Sequence, residues 1–98
     1  MSTKNGPGAL LDTVINRETF LAFVFSLAEN RRQAEAIELA APERYKWGGA
    51  DGWQNQTISS FLEASAAGVD HPSWPEPTAE NPSWRDFALF LWMGKIYE

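Results

Sequence analysis

The sequence predicts an all-α fold, a small three- to four-helix bundle. Apolar residues recur at intervals of three and four positions in three separate stretches, which is typical of helices with one buried face. Each stretch follows a residue that caps helices well: Asn16, Thr57, and either Asn81 or Ser83. No useful length of sequence alternates apolar and polar residues, as a half-buried strand would. We therefore expect residues 14–98 to form a single helical domain.

The first helix is predicted to begin after Asn16. Residues 1–13 are polar and rich in Gly and Pro, so we expect a flexible N-terminal tail there. One apolar face of the helix is formed by Phe20, Phe23, Val24, Leu27 and Ala28. Residues 33–41 are rich in strong helix formers and are either a continuation of this helix or a short second one. Pro42 is expected to stop that helix.

A loop is predicted between the first helical stretch and Thr57. It contains two glycine-rich turns, and its side chains Trp47 and Trp53 are expected to fold back onto the bundle. The sequence does not decide whether residues 31–52 are ordered. The next helix is predicted over residues 58–67, with Gly68 as the residue that ends it.

A long loop containing Pro and Trp, residues 70–81, is expected to precede the C-terminal helix. That helix is capped either by Asn81, with Pro82 at its first position, or by Ser83 with Asp86. Gly94 either ends it or lets another helix approach closely. The predicted core consists of Phe20, Phe23, Leu27, Phe61, Leu62, Trp84, Phe87 and Leu91.

The net charge of −5 lies entirely in residues 47–84, which contain no basic residue. The same segment holds four of the five tryptophans. One interpretation is a solvated acidic surface with Trp side chains in the core. The other is an acidic, aromatic face that binds a basic partner. The candidate partner-binding residues are Asp51, Trp53, Asp70, Trp74, Glu76 and Glu80.

Signatures of catalysis, metal binding and cofactor binding are missing from the sequence. Without cysteine there are no disulfides and no thiolate ligands. His71 is the single histidine, and no second ligand or nucleophile is spaced to act with it. The glycine-rich residues 48–52 lack the lysine of a phosphate-binding loop. We therefore expect no enzyme activity, no metal and no cofactor, and the negative charge argues against nucleic acid.

A cytoplasmic location is expected. No apolar run approaches the roughly 20 residues that a membrane span needs. Residues 26–28 resemble a signal-peptidase site after a short apolar run. However, Asp12 and Glu18 are acidic in the region where a signal peptide carries positive charge, which argues against cleavage.

The sequence resembles a family of small, functionally uncharacterised bacterial domains. The resemblance covers most of residues 14–98. It lies in the motifs Trp53-x-Asn55-x-Thr57-Ile58-x-x-Phe61-Leu62-Glu63-Ala64, Asn81-Pro82-x-Trp84-x-x-Phe87-Ala88 and Lys95-Ile96-Tyr97-Glu98. Residues 31–52 depart from the family pattern and resemble an insertion. The resemblance implies a bacterial origin and no particular activity.

Three hypotheses about function follow. The first is a non-enzymatic acidic binding module, similar to an immunity protein or antitoxin, that inhibits a basic partner. The second is a self-associating structural protein that forms a homodimer through its C-terminal helix. The third is a small-ligand binder or enzyme with an aromatic pocket between helices.

Overall fold

The computed structural model describes residues 6–70 and 82–97. This part of the chain contains helices and no strand, which confirms the all-α prediction. A short 3-10 turn, Ala50–Gly52, lies between the second and third α-helices. The α-helices are α1 (Pro7–Leu11), α2 (Arg17–Ala40), α3 (Ile58–Val69) and α4 (Trp84–Ile96).

Helix α1 lies inside the segment predicted to be a tail. Pro7 occupies the start of the helix, where its missing N–H costs nothing, and it is buried. Leu10 and Leu11 pack against the core, and Val14 after the helix is part of the core. Residues 7–14 therefore belong to the folded domain. The prediction of a tail, made from the polar and Gly/Pro-rich composition of residues 1–13, overlooked the apolar side chains of Leu10 and Leu11.

Helix α2 begins at the predicted cap. The Thr19 amide donates to Asn16 Oδ1 at 2.9 Å, and the Asn16 amide donates to Thr19 Oγ1 at 3.0 Å. Together these bonds satisfy two backbone donors that a helix start leaves without partners. The helix then runs without interruption to Ala40 and stops before Pro42. Residues 33–40 are thus a continuation of the first helix.

Helices α3 and α4 also begin at predicted caps. Thr57 Oγ1 accepts from the Ser60 amide at 3.2 Å, and Ser83 Oγ accepts from the Asp86 amide at 3.1 Å. The Ser83 amide donates in return to Asp86 Oδ2 at 2.8 Å. Of the two caps considered for α4, the structure has Ser83.

Two glycines set the close packing between α3 and α4. A Cβ added at Gly94 would lie 2.5 Å from a Phe61 ring carbon and 2.6 Å from Ser65 Oγ. A Cβ at Gly68 would lie 2.8 Å from the Met93 side chain. Gly94 therefore lets the helices approach and does not end α4. The prediction for Gly68 was wrong, because α3 continues through Val69 and this glycine is a packing residue.

The core lies where α1, α2, α4 and the loop before α3 meet. Phe23 and Leu27 are buried as predicted, and Phe20, Phe61 and Leu91 pack partly against them. The prediction was wrong for Leu62, Trp84 and Phe87, which are at least 38% exposed. The fully buried cluster is Val14, Phe23, Leu27, Ala34, Ala50, Trp53 and Ala88.

Candidate functional site

Trp53 is a buried residue that lines one hollow of the molecule and contacts Asn30 and Lys95, which line another. It is 3% exposed, and its indole N–H donates to Asn30 Oδ1 at 2.8 Å. One face of the molecule beside it holds a group of polar side chains around Lys95. Trp53 also forms part of the wall of an apolar groove. Trp53 therefore folds back onto the bundle as predicted, and its role as a partner contact stays a prediction.

The polar cluster consists of Asn30, Asp51, Trp53 and Lys95. Asn30 is its central member, because Oδ1 accepts from Trp53 and from Lys95 Nζ at 3.0 Å. Its Nδ2 donates to Asp51 Oδ2 at 2.7 Å. One amide on α2 thus holds both the loop before α3 and the end of α4.

Lys95 is the buried charge of this cluster, with its side chain 8% exposed. Burial lowers the pKa of its ammonium, and the carboxylate of Asp51, 3.8 Å away, opposes that shift. Nζ also lies over the rings of Trp53 and Trp92, at 5.5 and 5.3 Å from their centroids. The carboxylate, the amide oxygen and both rings favour the charged form. Lys95 therefore has the surroundings of a structural cation.

The hollow beside Lys95 has a volume of about 230 Å³. Its walls include Pro7 and Gly8 from α1 and the ring of Trp92. The polar side chains that face it, Asn30, Asp51 and Lys95, bond to one another. It consequently offers a ligand little that is not already engaged.

A second polar network holds residue 50 against α2. Arg31 donates two hydrogen bonds to Glu38, each 3.0 Å long, and lies 5.1 Å from the centre of the Trp53 ring. Glu38 also accepts from Gln56 Nε2 at 3.0 Å and from the Ala50 amide at 2.8 Å. Burial alone would raise the pKa of Glu38. These donors outweigh burial and lower that pKa, so the carboxylate stays ionised.

The loop before α3 donates hydrogen bonds to the C-terminal end of α4. The Gln54 amide donates to the carbonyl of Lys95 at 2.8 Å. Asn55 Nδ2 donates to the carbonyls of Gly94 and Tyr97 at 3.0 and 2.8 Å. These are carbonyls that a helix end leaves without partners. Two of the quoted motifs, one around Trp53 and one around Lys95, therefore meet in space.

The apolar groove lies on the opposite side of Trp53, between α2 and α3. Its volume is about 290 Å³, and it is open to solvent. Ile58, in its wall, is 80% exposed, and Leu62 one turn further along α3 is 51% exposed. The groove is lined by Val24, Leu27, Ala28, Arg31, Trp53, Asn55, Gln56, Thr57, Ile58, Phe61 and Leu91.

The polar groups of the groove wall already have partners within the chain. Arg31 pairs with Glu35 and Glu38, and Gln56 donates to Glu38. Asn55 is engaged with the end of α4, and Thr57 caps α3. The part of the groove that is available to bind another molecule is therefore its apolar surface.

Asp51 and Asp70, the other described members of the predicted partner-binding set, do not line the groove. Asp51 belongs to the polar cluster, where it pairs with Asn30 and Lys95. Asp70 is exposed and follows the last residue of α3. Trp74, Glu76 and Glu80 lie outside the described residues. The loop tryptophan Trp47 was expected to fold back onto the bundle, but it is exposed.

Sequence reasoning missed the groove itself. A signal was present in the spacing Trp53-x-x-x-x-Ile58-x-x-Phe61, which supplies three of its walls. The third hypothesis, a pocket between helices with Trp as a wall, predicted a feature of this kind. What the sequence did not reveal is that α2 and α3 leave the space between them uncovered.

Metal and membrane sites were also sought in the described part of the chain. In residues 6–70 and 82–97, no three His, Asp or Glu side chains come close enough together to hold a metal ion. Across the same residues, no helix is long and apolar enough to cross a membrane. His71 lies outside these ranges.

The described residues form a small helical domain with an open apolar groove. The chain belongs to DUF7660, a family of unknown function, whose model matches residues 16–98. This confirms the resemblance to an uncharacterised domain family. No curated protein and no solved structure matches the chain.

Proposed function

We propose that this protein is a non-enzymatic binding module whose apolar groove takes a basic, amphipathic segment of a partner protein. The observation that carries the proposal is the open apolar groove beside Trp53, on a chain of net charge −5. Apolar surface left in water costs roughly 25 cal/mol per Å². A partner that covers the groove recovers that free energy.

The chemistry of the groove supports an apolar anchor. The polar atoms in its wall are already bonded within the chain, so a polar ligand would have to break those bonds. An apolar side chain meets no such penalty. A protein segment that presents Leu, Ile or an aromatic residue on one face fits this requirement.

The charge around the groove supports a basic partner. Helix α3 carries no basic residue, although its Glu63 and the following Asp70 line a separate hollow, so the acids next to the groove are those around Arg31. Arg31 in the groove wall is matched by two glutamates. Complementary charge raises association rates and excludes acidic competitors. Among the described residues, the basic side chains that form salt bridges with Asp or Glu are Arg31, Arg32, Lys46, Arg85 and Lys95.

An inhibitor that occludes a basic effector, as an immunity protein or antitoxin does, is the role we favour for such a module. A non-enzymatic role is supported by the state of Lys95, whose polar neighbours hold it as a structural cation. A cytoplasmic location agrees with the acidic residues Asp12 and Glu18 before the apolar stretch of α2.

The proposal is tested with a fluorescein-labelled amphipathic peptide of Leu and Lys, about 18 residues or five helical turns long. Fluorescence anisotropy at low salt measures its affinity for the protein. We expect this peptide to bind and the same pattern of Leu and Glu not to bind. Equal binding of both peptides, or of neither, contradicts the proposal.

A matched pair of variants locates the binding surface. Ala28→Arg puts a long cation into the groove at an exposed position of α2, and Ala36→Arg makes the same change on α2 outside the groove. We expect Ala28→Arg to weaken peptide binding at least about tenfold, or ~1.4 kcal/mol. Ala36→Arg should change it far less. If both variants bind like the unmodified protein, the groove is not the binding surface.

A further inference from the structure

Trp47 is the most exposed large apolar side chain of the described residues, at 92%. It precedes Gly48 and Gly49 in the loop between α2 and the 3-10 turn. A Trp side chain contributes roughly 150–250 Å² when it is buried, so one held in water is a strong anchor for another surface.

The surroundings of Trp47 are basic, unlike most of this acidic protein. Arg44 and Lys46 precede it, and with Glu43 they give residues 43–47 a net charge of +1 (two bases and one acid). The Lys46–Glu43 pair, 3.4 Å apart, is exposed on both sides. Exposed pairs of this kind are weak and exchange readily with other partners. We call residues 43–49 the Trp47 loop.

The apolar groove has the complementary properties. Its volume of about 290 Å³ exceeds the ~150 Å³ that is known to admit a benzene ring in a protein cavity. Its walls include the aromatic rings of Trp53 and Phe61. Glu35, more than half exposed, lies beside Arg31 in the wall and adds negative charge next to the opening. One chain thus carries both a basic aromatic projection and an apolar hollow with acidic surroundings.

We propose that the apolar groove binds the Trp47 loop of a second copy of this chain. If each copy inserts Trp47 into the groove of the other, the contact is symmetric and the assembly closes as a dimer. The same groove then holds either a second copy or a partner protein. Self-association therefore competes with partner binding and keeps the apolar surface covered in the absence of the partner.

The dimer is expected to be weak. Two inserted Trp side chains account for roughly 300–500 Å² of buried area, and the two grooves add a comparable amount. This total buried area is smaller than that of stable protein–protein interfaces, which bury about 1,200–2,000 Å². The association should therefore depend on concentration and stay reversible, as a regulatory contact requires.

Sedimentation equilibrium over a wide concentration range tests the proposal. The mass is expected to rise from the 11.0 kDa of one chain towards twice that value. Trp47→Ala should remain a monomer throughout, and so should Ala28→Arg, whereas Ala36→Arg should associate like the unmodified protein. A monomer at every concentration, or a dimer that tolerates both Trp47→Ala and Ala28→Arg, overturns the proposal.

Mixing the two monomeric variants shows that the contact runs between chains. Trp47→Ala keeps an intact groove and Ala28→Arg keeps an intact Trp47, so an equimolar mixture should regain association through one of the two contacts. Because one contact is weaker than two, the mixture is measured far above the concentration at which the unmodified protein dimerises, and no gain of mass there contradicts insertion between chains. None of these outcomes alters the peptide-binding result, so this inference and the proposed function fail separately.

Discussion

The two sides of Trp53 differ in how completely the chain satisfies them. On one side, Asn30, Asp51 and Lys95 bond to one another and to the indole N–H. On the other, the apolar groove is open to solvent, and within residues 6–70 and 82–97 no helix covers it. A single buried Trp residue separates a polar site that is complete from an apolar site that is not.

The difference distinguishes a polar cluster that stabilises the fold from a groove that is a candidate binding site. Lys95 draws attention because buried lysines with a lowered pKa serve as nucleophiles in enzymes. Here the groups around it stabilise its charge and tie three segments of the fold together, so the polar cluster is a structural device. The groove contains no reactive group. Its apolar surface, open in the described part of the chain, nevertheless makes it the better candidate for binding a partner.

The largest effect is expected from Asn30→Ala. The substitution leaves Trp53 Nε1 and the Lys95 ammonium without their acceptor inside the protein. Leaving one buried donor without an acceptor costs about 1–3 kcal/mol, and this substitution affects two donors. Urea denaturation followed by Trp fluorescence measures the loss. A cost below about 1 kcal/mol, the net value of one ordinary hydrogen bond, would show that Asn30 does not hold the cluster.

A smaller effect, with a distinct pH dependence, is expected from Glu38→Gln. A hydrogen bond to a charged group contributes about 1.5–3 kcal/mol, and Arg31 makes two with this carboxylate. Because the pKa of Glu38 is below its ordinary value of 4.5, its stabilisation is complete above that value and is lost as the pH falls through the folded-state pKa.

The melting temperature of Glu38→Gln should accordingly fall less steeply below pH 4.5 than that of the unmodified protein. A residual slope is expected from Glu29, whose pKa is lowered by its hydrogen bond and charge interaction with Arg32. Identical slopes in the two proteins would mean that Glu38 is not the carboxylate that links stability to acid.

The smallest effect is expected from Lys95→Met. Asn30 Oδ1 keeps the Trp53 N–H as a donor, and Asp51 keeps its bond to Asn30 Nδ2. Asp51, the partner left behind, is half exposed and solvated, so we expect a change within about 1 kcal/mol. Denaturation at pH 7 measures it. A loss as large as that of Asn30→Ala would make the ammonium itself indispensable.

Lys95→Met should also remove part of the alkaline pH dependence. The folded-state pKa of Lys95 is lowered, so the unfolded chain binds this proton more tightly. Stability should therefore rise with pH from the folded-state pKa up to about 10.4, the value in an unfolded chain. The methionine variant lacks that rise.

The sequence predicted the helix starts better than the core. Asn16, Thr57 and Ser83 cap their helices through residues three positions on, so the pattern that produces each cap is local. Burial depends on what lies against a helix. Trp84 and Phe87 have the spacing of core residues, but they pack against Phe20 at the surface, with ring centroids 5.4 and 6.3 Å from its own.

The candidate site depended on contacts that no local pattern contains. Asn30 meets Lys95 across 65 positions of sequence, and nothing in the residues around Asn30 indicates that pairing. Gly94 illustrates the same limit. Its sequence context fits a helix end and a close helix approach equally well, and only the positions of Phe61 and Ser65 decide between them.

The central claim is that a partner binds at the groove and not at the polar cluster. Titration of the ¹⁵N-labelled protein with the Leu/Lys peptide, read by amide chemical shifts, tests it most directly. We predict the largest shifts at residues 24–28 and 54–62, on the two walls of the groove, and small shifts at Gly8, Ala9 and Trp92. The largest shifts around Gly8, Ala9 and Trp92 would instead make the hollow beside Lys95 the binding site and contradict that claim.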